Sequence, residues 1–111
     1  MAIKLIVSDT VKFQVKGVIR NASGTDEPFN FSLICKRLNA EEIQARFRAD
    51  EETLIVEFFA GIVEDWSGVR DAEDKPAPYN VENLRALFKL PGIAALAFRT
   101  YMAECGAREK N

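Results

Sequence analysis

The sequence predicts an α+β fold, an N-terminal antiparallel β-hairpin or small sheet packed against about four C-terminal helices. Between Val11 and Cys35 apolar residues recur at every second position, the period of a strand with one buried face. From residue 39 onward the apolar spacing becomes three and four, the period of a helix with one buried stripe. Strands first and helices after are the α+β order. At 111 residues the chain fits one domain with its own core. The expected division is a single domain over 1–106 and a polar, frayed tail over 107–111.

A short strand is expected at Ile3 to Val7, beside the hairpin. In the first long strand Val11, Phe13 and Val15 form one face, and Lys12, Gln14 and Lys16 the other. Gly17 breaks the apolar set and marks a bulge or a close approach of another backbone. The run Asn21-Ala-Ser-Gly-Thr-Asp-Glu-Pro28 reads as the connection, rich in turn residues. The second strand covers residues 29–37, with Phe29, Phe31, Leu33 and Cys35 on one face. A lone hairpin is marginal in water, so this face needs a helical cover.

Asn39 and Glu42 stand at capping-box spacing and open a first helix carrying Ile43 and Phe47. A second helix is expected from Asp50, with Glu51 and Glu52 in its first turn. Its stripe is Leu54, Ile55, Phe58, Phe59, Ile62, Val63 and Trp66. Ser67 to Tyr79 reads as a loop, because Pro76 and Pro78 oppose helix there. Asn80 caps a third helix with Val81, Leu84, Leu87 and Phe88. Pro91 fits the first turn of a fourth, which shows Ile93, Leu96, Ala97 and Tyr101 and stops near Gly106.

Composition narrows the function. Apolar residues at 48% and charged residues at 29% are globular proportions, not those of a disordered chain. The balance of 15 basic and 17 acidic residues is not the basic footprint that nucleic acid requires. The longest apolar stretch, Leu54 to Val63, is too short for a bilayer and contains Glu57. The N-terminus lacks the pattern of a signal peptide. A cytoplasmic protein with neither a membrane nor a nucleic-acid partner is expected.

The residues for catalysis are missing. There is no histidine, which removes the commonest general base and the commonest zinc ligand. The two cysteines, Cys35 and Cys105, read as free thiols acting as small apolar residues. The six glycines are scattered, so no phosphate loop exists. Asp71, Glu73 and Glu82 match calcium-loop positions, but Lys75 and Pro76 stand where an oxygen ligand and a glycine belong. Glu64 and Asp65 are adjacent on the expected helix and do not face each other, so they make a poor acid–base pair. No catalytic residue, cofactor or metal is assigned. Trp66 has two readings, a core residue at the end of the stripe or an exposed aromatic anchor for a partner.

Most of the chain, from about Val11 to Tyr101, resembles the tail assembly chaperones of long-tailed phages and prophages. The stretches that carry the resemblance are Phe59-Ala-Gly-Ile-Val-Glu-Asp-Trp-Ser-Gly-Val, Pro76-Ala-Pro-Tyr-Asn, Glu82-Asn-Leu and Leu90-Pro-Gly-Ile. An alanine-rich helix and Tyr101 follow them. The first half adds Pro28-Phe-Asn-Phe-Ser-Leu and a close on Cys35, Lys36, Arg37 and Leu38. The turn Ala72-Glu-Asp-Lys75 departs from the pattern, where an Asp-Gly type of turn is expected.

The resemblance implies a non-enzymatic role in the host cytoplasm, outside the mature virion. Such a chaperone binds the long apolar tape measure protein and brings tail tube protein subunits to it. Self-association is left open. The candidate partner surface is Trp66, Val69, Tyr79 and Phe88. The alternative is a small prophage-encoded regulatory or adaptor protein that binds a host protein. Gene neighbours separate the two, since a chaperone gene should lie between tail tube and tape measure genes. The resemblance also raises a longer product made by ribosomal slippage, with an ordinary polar tail as the alternative. The codons for Glu109-Lys110-Asn111 permit the required run of A.

Overall fold

The computed structural model describes residues 2–3, 8–48 and 54–106. Three antiparallel strands form one sheet in the order β1-β2-β3: β1 (Thr10–Arg20), β2 (Asp26–Lys36) and β3 (Val63–Ser67). Four helices accompany them: α1 (Ala40–Arg48), α2 (Ile55–Ala60), α3 (Val81–Phe88) and α4 (Ile93–Cys105). The α+β architecture read from the sequence is the one observed. The expected strand at Ile3 to Val7, the side chain of Phe47, the helix start at Asp50 to Glu52 and the tail lie outside the described residues.

The hairpin follows from the period of two. β1 and β2 pair without interruption from Thr10↔Lys36 to Arg20↔Asp26. Val11, Phe13, Val15, Phe31, Leu33 and Cys35 are all buried on the inner face. Lys12, Gln14 and Lys16 are exposed on the outer one. Gly17 marks neither a bulge nor the approach of another backbone, but the close packing of side chains. It stands opposite Phe29 in an unbroken register. A Cβ there would lie 2.7 Å from the Phe29 ring and 3.1 Å from Leu96.

The connection is shorter than expected. It covers only residues 21–25, and Pro28 lies inside β2. Backbone bonds from Asn21 to Thr25 and from Arg37 to Asp9 bracket the ladder, so the odd-numbered residues of β2 bond to β1. Pro28 is even-numbered, and its missing N–H falls on the side away from β1. β3 reaches only as far as Ser32 on that side, so Pro28 forfeits no ladder bond.

The largest correction concerns residues 54–67. In place of one helix running to Trp66, α2 ends at Ala60 and the chain enters β3. Lys36 donates to the Ile62 carbonyl at 2.9 Å, which starts the pairing with β2. Val63 and Trp66, three apart, both face inward because a β-bulge separates them. Cys35 pairs with Val63 and Ile34 with Asp65, leaving Glu64 as the extra residue. The bulge gives a strand the spacing of a helix. Glu64 and Asp65 are therefore strand residues, both exposed.

The helical caps follow the sequence more closely. Asn39 and Glu42 bond reciprocally, at 2.8 and 3.1 Å. Asn80 accepts from the Asn83 N–H at 2.7 Å and starts α3. Pro91 is not in the first turn of α4. Leu90-Pro91-Gly92 forms a tight turn closed by Ile93 N–H to Leu90 C=O at 3.2 Å, with Gly92 at φ 88°. Proline then glycine at the centre of a turn is the type II pattern.

Tyr101 is the hub of the core. It is fully buried and makes edge-to-face contacts with Phe13, Phe58 and Phe59. Its hydroxyl donates to Lys36 C=O at 2.9 Å and accepts from Leu38 N–H at 3.1 Å, pinning α4 to the end of β2. Burial, the main cause, raises its pKa well above the ordinary tyrosine value.

Candidate binding groove

Three successive stretches meet beside the sheet: the loop after β3, α3, and the turn into α4. Gly68 turns the chain out of β3 at φ 84°. A Cβ on it would lie 3.1 Å from the Asn30 carbonyl and 3.2 Å from Phe31 Cα. The loop then folds into a small hairpin around Asp71. Asp71 Oδ1 accepts the N–H groups of Glu73 and Lys75 at 2.9 and 3.0 Å. An isolated bridge joins Arg70 and Pro76, and Ala77 N–H bonds to Val69 C=O at 2.9 Å. Asp74 holds the positive-φ position, at 61°, where the Asp-Gly type of turn would place its glycine.

Trp66 fixes this loop to the core. Its indole Nε1 donates to Ala77 C=O at 2.9 Å, and its ring meets Tyr79 edge to face at 5.2 Å. At 7% exposure it is the core residue of the two sequence readings, and the exposed-anchor reading is corrected for the free chain. Phe88 is likewise in the core at 9%, stacked edge-on against Phe59. Val69 and Tyr79 are half-buried. The Tyr79 hydroxyl oxygen is buried without a hydrogen-bond partner, and burial raises its pKa.

Two depressions flank Val69 and Arg70. One of about 340 Å³ has Ile19, Phe29, Leu87, Leu90 and Ile93 in its walls. The other, about 750 Å³, is floored by Trp66 and walled by Ala77, Pro78, Ala86 and Leu87. Val69, Arg70, Leu87 and Leu90 belong to both, so the two form one apolar groove. Three of the four sequence candidates sit around it: Val69 in its wall, Trp66 under it, and Tyr79 against the Trp66 ring. Phe88 lies deeper and supports α3 from behind.

Leu90 and Ile19 were not foreseen as part of the site. Leu90 carried a usable signal, an apolar residue placed directly before a Pro-Gly turn. Ile19 carried none, because only the hairpin register brings it here.

The chemistry of the groove is that of contact. Its rim charges pair locally: Arg70 reaches Asp74 at 3.7 Å, and Lys75 reaches Glu73 at 3.5 Å. Among the described residues no group of three or more His, Cys, Asp or Glu side chains is placed to hold a metal ion. Cys35 and Cys105 are free thiols there. Burial pushes the Cys35 thiol up to about 12, which keeps it protonated. A further depression, between α1 and the end of α4, is lined by Leu38, Ile43, Met102 and Cys105.

Among the described residues no helix is long and apolar enough to cross a membrane. No protein-family model, curated protein or solved structure matches the chain.

Proposed function

We propose that this protein is a non-enzymatic phage tail assembly chaperone. It acts in the host cytoplasm, binds the tape measure protein and recruits tail tube subunits. The observation that carries the reading is a convergence. The stretches that resemble the chaperone family, residues 59–69, 76–80, 82–84 and 90–93, follow one another through strand, loop, helix and turn. Together they supply Trp66, Val69, Ala77, Pro78, Leu90 and Ile93 to one groove.

A groove with apolar walls and a charge-paired rim suits an amphipathic helix laid along it. A tape measure protein, long and rich in apolar helix, needs such a cover before the tube encloses it. Coexpression tests the reading. With this chain, the tape measure protein encoded beside its gene should stay soluble and copurify. A soluble tape measure protein that never copurifies with it would refute the proposal.

A further inference from the structure

We propose that the outer edge of β1 is a second binding site, one that adds an extended peptide strand with acidic residues at alternate positions. The observation is the contrast between the open edges of the sheet. The two bonds that bracket the hairpin, Asn21 to Thr25 and Arg37 to Asp9, assign odd-numbered β1 residues to β2. The N–H and C=O groups of Lys12, Gln14, Lys16 and Val18 therefore point outward along one line. Among the described residues the sheet order places β1 at an edge, and its register with β2 contains no shift.

The other open stretches are guarded. On β2, Pro28 removes a donor from the side that β3 does not reach. β3 is only five residues long and faces the bulged segment of the pairing. Proline, shortness and bulging are absent from β1, and the protection it keeps is its exposed lysines, which turn away a like-charged strand.

What β1 presents is charge. Lys12 and Lys16 are exposed on the residues that carry the outward groups, with Gln14 between them. Neither lysine belongs to the ion pairs Arg20–Asp26, Arg70–Asp74, Lys75–Glu73 and Arg85–Glu57. A second copy added antiparallel about Gln14 would set Lys12 against Lys16 in both directions. Like charges directly opposite are unfavourable, whereas acidic residues there gain a cross-strand pair. A depression of about 560 Å³ runs beside this edge, between the lysines and Glu104 of α4. The intervening residues of the added strand lie on the face of Phe13 and Val15, so they are uncharged. The site is separate from the apolar groove and does not depend on its function.

The test is amide exchange on the full chain, with and without the peptide Ser-Glu-Val-Glu-Val-Glu-Ser. In the free chain the amides of Lys12, Gln14, Lys16 and Val18 should exchange fast, while those of Phe13 and Val15 are protected. Peptide should protect the first set. The exposed pair K12E and K16E should weaken binding by roughly tenfold or more without unfolding the chain. A lysine version of the peptide, or one N-methylated at its glutamates, whose N–H groups face β1, should not bind.

Four results would overturn the proposal. Outward amides already protected in the dilute free chain would mean that the chain's own residues cover the edge. Protection that grows with protein concentration alone would identify a second copy. Equal binding of the N-methylated peptide would exclude strand addition, and no protection with any peptide would exclude the site.

Discussion

The protein builds two turns from the same hydrogen bonds and uses them differently. In the first, Asn21 Oδ1 accepts the N–H groups of Ser23 and Thr25, and Asn21 N–H bonds to Thr25 C=O. In the second, Asp71 Oδ1 accepts those of Glu73 and Lys75, and Asp71 N–H bonds to Lys75 C=O. Gly24 and Asp74 hold the positive-φ position in each. Yet the first turn joins two strands of 11 residues, and the second stops at one bridge.

The difference lies beyond the turn. After the second, Ala77 gives its carbonyl to the Trp66 indole, and Gly68 swings the other arm into β3. An Asx acceptor and one left-handed residue set the turn, while tertiary contacts set how far the ladder runs. The ladder that stops early opens the groove.

Removing the contact that stops the second ladder should have the largest effect. Trp66→Ala takes away a buried ring and frees the Ala77 carbonyl, so it should cost about 3–5 kcal/mol in a urea melt. Asn21→Ala at the exposed first turn should cost about 1 kcal/mol. Equal losses would show that the second turn owes no more to the core than the first.

The glycines sharpen the same contrast. At Gly24 an added Cβ meets nothing within 4 Å, so Gly24→Ala pays only for its left-handed backbone, about 1 kcal/mol. At Gly68 the strain is compounded by β2 backbone at 3.1 and 3.2 Å, and Gly68→Ala should cost about 2 kcal/mol or more. Thermal unfolding of the two variants ranks them directly.

A smaller change should have the opposite sign. The Tyr79 hydroxyl is buried beside the second turn without a partner. Tyr79→Phe removes a group that folding strips of water, so stability should rise by about 1 kcal/mol. A fall of that size would reveal a partner for the hydroxyl.

The cysteines give the smallest effect at neutral pH. Cys35 has its pKa raised from 9.0 to about 12, chiefly by burial. Its contribution to stability is whole below pH 9 and is lost as pH climbs from there toward 12. Cys35→Ala should flatten the alkaline limb of the stability curve. With a disulfide reagent at neutral pH, half-buried Cys105 should react first, and Cys35 only as fast as the chain opens.

The hairpin was readable because β1 and the inner part of β2 keep a strict period of two, from Val11 to Cys35. The caps at Asn39 and Asn80 were readable because capping depends on neighbours three residues apart. β3 was not, since the bulge at Glu64 reproduces helical spacing at Val63 and Trp66, and only pairing with β2 distinguishes them. Of the groove, its loop and its aromatic floor were visible in the sequence. Its shape was not, because Ile19, Val69 and Leu90 meet only after the second turn folds back.

Binding of the tape measure protein to a groove variant tests the central claim most directly. Leu90 is 43% exposed on the groove wall, and Val18 is 61% exposed at the hairpin tip. Both Leu90→Glu and Val18→Glu should leave the thermal midpoint nearly unchanged. Titrated against the purified tape measure protein, Leu90→Glu should bind at least about tenfold more weakly, since a charge in the contact is left unpaired, while Val18→Glu binds like the natural chain. Undiminished binding by folded Leu90→Glu would contradict the account.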